Sequence, residues 1–111
     1  MGGSIFLSNW FNTEEVDAFA RALAQDLLGR LPPSATVGGK SISPSRLNST
    51  REAVQSRASA FSRRYRMNWY KKAHLANTFK WVLREAGCDT SFVDAWTYDV
   101  MLHIAEKKSD K

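Results

Sequence analysis

Cysteine is almost absent from this chain of 111 residues: Cys88 is its one thiol, so no disulfide can form within the chain and the fold must rest on packing. Long hydrophobic runs are missing too. No uncharged apolar stretch approaches the roughly 20 residues needed to cross a bilayer, and Met1-Gly2-Gly3-Ser4-Ile5-Phe6-Leu7 lacks the basic flank of a secretory signal. A cytoplasmic protein with no membrane partner is expected. Alternation of period two is absent, as is any Asn-Gly hairpin signal or internal repeat, which argues against sheet and for an all-α fold. Acids are the last scarcity: between Arg46 and Arg84 the chain has ten Lys or Arg and one acid, Glu52.

That middle segment is what gives the chain its character. Three bases face four acids before it and three face six after it, so the formal net charge of +5 is concentrated in one patch. Phe61, Tyr65, Trp69, Tyr70, Phe79 and Trp81 are interleaved with the bases. A segregated basic patch rich in aromatics favours a polyanionic partner over a small-molecule substrate. Hydrophobic content of 43% is too high for a disordered basic tail, and the length suits one helical domain spanning residues 1–111.

Helix signals divide the chain. Asn12 with Glu15 three residues on reads as a capping box, Phe11 and Val16 stand at staple positions, and Val16, Phe19, Ala20, Leu23, Leu27 and Leu31 make one stripe, predicting a first helix over 12–31. Pro32, Pro33, Gly38, Gly39 and Pro44, among several serines, predict a linker over 32–47. Over 48–86 a basic helical region carries Val54, Ala58, Phe61, Tyr65, Asn68, Lys72, Leu75, Phe79, Val82 and Ala86 in 4-3 spacing. An unbroken helix from Ser49 to Ala86 would be about 57 Å long. It either breaks near Met67-Asn68-Trp69, with Asn68 as a new cap, or protrudes and pairs with a second copy. Gly87 stops the region, and Ser91 with Asp94 opens a last helix over 90–107. Val93, Trp96, Val100 and Ile104 form its main stripe, with Tyr98 and Leu102 opposite, so a bundle completed by dimerisation is expected.

Motifs for chemistry are weak. Gly38-Gly39-Lys40-Ser41 ends like a phosphate-binding loop but has Ser34 where the leading glycine belongs and no strand before it. Cys88, His74 and His103 lack the close spacing of metal-ligand pairs, and nothing sets a nucleophile beside a base, so no catalytic residue, metal or cofactor is assigned. Asp94, Asp99 and Glu106 read as a solvated face. A helix-turn-helix pivoting on Gly87 would place an acidic helix in the major groove, against phosphate repulsion.

The basic helix is the better candidate. At 100° per residue Arg63, Tyr70, His74 and Trp81 share one side, with Arg57, Arg64 and Lys71 along one flank and Arg66 along the other. The expected function is non-enzymatic binding of DNA or RNA at backbone phosphates through Arg57, Arg63, Arg64, Arg66, Lys71 and Lys72, with Tyr70, His74 and Trp81 on the same surface. A plainer role for Tyr70 and Trp81 is packing beneath a neighbouring helix. The rival function is an interaction module docking an acidic protein through the same helix, while adsorption to anionic membrane is disfavoured because the bases surround the helix.

Overall fold

A computed structural model describes residues 11–33 and 42–104, and among these the architecture is all-helical with no strand. Among the described residues the helices are α1 (Glu14–Arg30), α2 (Pro44–Arg64), α3 (Trp69–Glu85) and α4 (Thr90–Leu102). None is long and apolar enough to cross a membrane. The last helix was expected to run to residue 107 but ends at Leu102, with His103 as its C-cap; the loop Gly38-Gly39-Lys40-Ser41 and residues 105–111 lie outside the described residues.

Local chemistry explains each helix end. Thr13, one residue later than expected, holds the cap position of α1, yet Asn12 Oδ1 still accepts from the Glu14 N–H at 3.0 Å. The Thr13 hydroxyl turns instead to Asp17, donating at 3.0 Å. Helix α2 begins inside the expected linker because Pro44 sits at its first turn, where the missing N–H costs nothing, and Ser43 caps it by accepting from Arg46 N–H at 3.2 Å. Pro44 was expected within the linker; here it initiates a helix.

The long basic region is broken. Tyr65 leaves α2 in an extended conformation (φ −117°, ψ 132°), and Asn68 caps α3, its Oδ1 accepting from the Lys71 N–H at 2.8 Å. Past the break the buried stripe is Lys71, Leu75, Phe79 and Leu83, one residue out of register with the expected Lys72 at one end and Val82 at the other. At the end of α3, Gly87 takes φ +94° and the Cys88 N–H reaches back to the Leu83 carbonyl at 3.2 Å, closing the helix as glycine allows. The cap of α4 is Asp89, not Ser91: its Oδ2 accepts from the Ser91 hydroxyl at 2.6 Å and from the Ser91 N–H at 3.1 Å. These Ser91 bonds hold the Asp89 carboxyl below its ordinary range.

Contacts fix the directions of the helices. Arg46 and Arg57 of α2 meet Arg30 and Asp26 near the end of α1, whereas Phe61 stacks on Phe19 near its start, so α1 and α2 run antiparallel. Asp17 of α1 meets His74 and Thr78 of α3, and Phe11 meets Tyr70, so α1 and α3 run in the same sense. Helix α4 lies along α3 and α2, with Arg51 over the Trp96 ring at 5.7 Å and the Gln55 amide on both Asp99 oxygens at 3.1 Å. Asp99 is therefore engaged between helices and not simply solvated. The core joins Leu23 and Leu27 of α1, Val54 and Ala58 of α2, Leu75, Phe79 and Leu83 of α3, and Val93 and Val100 of α4.

Candidate nucleic-acid interface

The break between α2 and α3 decides where the basic side chains go. Arg63 falls on α2 and Tyr70, His74 and Trp81 on α3, so the single cationic side drawn on one continuous helix does not form. Four of the nine candidate residues are turned to the α1 side or inward. His74 Nδ1 lies 3.0 Å from Asp17 Oδ1, which also accepts from the Thr78 hydroxyl at 3.0 Å. Burial raises the Asp17 carboxyl, but the bonds from His74, Thr78 and Thr13 and the charge of His74 outweigh it, leaving it below its ordinary range. Tyr70 is half-buried, edge-on to Phe11 at 5.0 Å and tilted to His74 at 5.4 Å. Lys71 is buried, 8% exposed, with its ammonium 5.1 Å over the Tyr65 ring. Burial and then the neighbouring Glu15 charge hold the Tyr65 hydroxyl above its ordinary value. Arg57 pairs with Asp26 at 3.2 Å, with its guanidinium 6.0 Å over Phe19.

Of the remaining five candidates, Arg63, Arg64, Arg66 and Trp81 face solvent. Lys72 is partly buried and engaged with a neighbour. Arg63, Arg64 and Arg66 are exposed and form no ion pair within the described residues. They cluster where α2 ends and the chain turns into α3. Arg63 also borders a shallow polar groove between α2 and α4 with Glu52, Gln55, Ser56, Ser59 and His103. Trp81 is 62% exposed, as its position opposite Phe79 predicts, so it does not pack under a helix.

Sequence reasoning left out one surface residue of weight. Trp69 is 63% exposed and edge-on to Tyr70 at 5.9 Å, extending the Phe11 and Tyr70 contact outward. The signal for it was Asn68: a cap there makes Trp69 the first residue of its helix, with no preceding turn to cover it. Among the described residues no group of three or more His, Cys, Asp or Glu is placed to hold a metal ion, and Cys88 is buried. Compared with protein-family models, curated proteins and solved structures, the chain matches none.

Proposed function

We propose that this protein binds nucleic acid, DNA or RNA, through phosphate contacts made by Arg63, Arg64 and Arg66. The observation that carries this reading is that these three arginines are exposed and form no ion pair among the described residues, whereas Arg57 and Lys71 are already engaged within the fold. Arginine presents a planar fork of donors matched to phosphate oxygens, and three such forks within four residues form a compact anion-binding corner. Binding by phosphate contact is sequence-tolerant and steeply salt-dependent, with a slope of about −0.9 per phosphate neutralised on duplex. Titration of duplex and single-stranded oligonucleotides at several salt concentrations tests it. Changing the three arginines together to Ala should weaken binding to every sequence and reduce the slope by up to about 2.7. Unchanged affinity overturns the assignment, and binding to an acidic protein but not to nucleic acid would put the interaction-module reading in its place.

Pairing of two copies is part of the same proposal, on narrower ground than a long exposed seam, since the break shortens that seam. Its support is α4, where Tyr98 and Leu102 stand one turn apart and exposed. A second copy covering them would remove apolar surface from water. Sedimentation at micromolar concentration should then report about twice the chain mass of 12.5 kDa.

A further inference from the structure

We infer that the nucleic acid is single-stranded, with one unpaired base stacked on the exposed indole of Trp69 and a second on Trp81, while Arg63, Arg64 and Arg66 hold the backbone. This rests on the phosphate-binding reading and adds the state of the bases. Trp69 and Trp81 are 63% and 62% exposed, and at 100° per residue they stand about 120° apart around α3, on the two flanks of the face opposite the Leu75, Phe79 and Leu83 stripe, so a strand that reaches both winds partly around the helix. Each ring leaves more than half of its surface in water, where a base can stack on it. They stand twelve residues apart, about 18 Å along the helix, a span that several nucleotides of an extended strand can cover.

The first ring is fixed in place. Tyr70 meets Trp69 edge-on at 5.9 Å and is itself held edge-on by Phe11 at 5.0 Å and against His74 at 5.4 Å, so Trp69 stands at the outer end of a supported aromatic row. The cations are local. Arg66 is three residues before Trp69 and Arg64 five, which chain geometry limits to about 11 Å and 18 Å between Cα atoms. At the other end, Lys80 precedes Trp81 directly and Arg84 follows it by three residues, with neither in an ion pair among the described residues.

Aromatic faces and cations together select the ligand class. In a duplex each base is sandwiched between its neighbours and offers no face to an indole, so exposed rings gain nothing from double-stranded DNA; an unpaired base offers both faces. Stacking is also indifferent to charge. That matters because Glu14 and Glu15 open α1 at the end where Phe11 meets Tyr70, and a strand crossing there must be held by its bases while its phosphates engage the arginines.

The test uses the full chain with a fluorescein-labelled oligothymidylate and a duplex of equal length, followed by anisotropy and by tryptophan emission. The single strand should bind more tightly than the duplex and quench the emission. Trp69→Ala should weaken single-strand binding by between about 5-fold and 140-fold, with duplex binding changed less than twofold, and Trp69→Phe should restore most of the loss. Trp81→Ala should act in the same direction, independently of any effect on the start of α3. Wild-type binding of both oligonucleotides with equal affinity, or Trp69→Ala and Trp81→Ala variants that bind the single strand as tightly as wild type, overturns the stacking inference and leaves the phosphate reading standing. Failure of the wild type to bind either oligonucleotide overturns the phosphate reading itself.

Discussion

Helices α2 and α3 share the basic segment between Arg46 and Arg84 but do different physical work. Helix α3 buries Leu75, Phe79 and Leu83 completely, packs most extensively against α1, and joins α4 through a glycine-closed turn. The residues α2 buries are Thr50, Val54, Ala58, Phe61 and Ser62, mostly small or polar, and it touches α1 and α4 far more sparsely. One helix makes the core, and the other is attached to it by a narrow stripe, two stacked rings and a few polar bridges. Charge follows the same division: the bases that α2 adds near its start and middle are tied to α1 and α4 through Asp26, the Arg30 carbonyl and Trp96, and those at its end form no ion pair among the described residues.

The sharpest way to break this contrast is Phe79→Ala. A fully buried phenylalanine truncated in the α1 and α3 interface should cost about 3–5 kcal/mol, read from urea unfolding, against the 5–15 kcal/mol that holds an ordinary domain. The counterpart in α2, Val54→Ala, removes two carbons and should cost about 1.5 kcal/mol. If Val54→Ala unfolds the protein as Phe79→Ala does, α2 is as integral as α3 and the division fails.

A pH series sharpens the contrast at the α1 and α3 interface. The Asp17 carboxyl is held below its ordinary value, so its contribution is present above about pH 4 and is lost as pH falls through that lowered value. Asp17→Asn should therefore be less stable than wild type at pH 7, by about 1 kcal/mol for a bonded carboxylate that remains partly exposed. That difference should shrink in urea melts as pH falls below 4. A gap that widens toward acid would reverse the assignment.

The smallest effect belongs to the end of α2. Arg63, Arg64 and Arg66 are exposed and form no ion pair among the described residues, so each change to Ala should alter stability by no more than about 0.5 kcal/mol while binding to nucleic acid falls. Thermal melting of the triple variant checks this. A large loss of stability would mean that these arginines hold the fold and are not reserved for a partner.

Much of the fold could be read from the chain because helix ends are local chemistry. The stripe Val16, Ala20, Leu23 and Leu27, the stop at Gly87 and the latent cap at Asn68 each depend on residues within one or two turns. Pro44 was read the wrong way round because proline excludes the helix interior but suits its first turn, and only the position of the helix distinguishes the two. For the basic segment, composition alone established that cations and aromatics are concentrated between Arg46 and Arg84, and that alternation suited to a sheet is missing. Which cations remain available was a tertiary decision. Asn68 could cap a new helix or ride within a continuous one, and the outcome turned on whether α3 could fold back beside α1 and bury Leu75, Phe79 and Leu83. Once it did, His74 met Asp17, Lys71 was covered beneath Tyr65, and Trp69 was left at a bare helix start. Those pairings join residues up to 57 positions apart, and a pattern of period 3.6 cannot encode them because it states which face is apolar but not which helix will cover it.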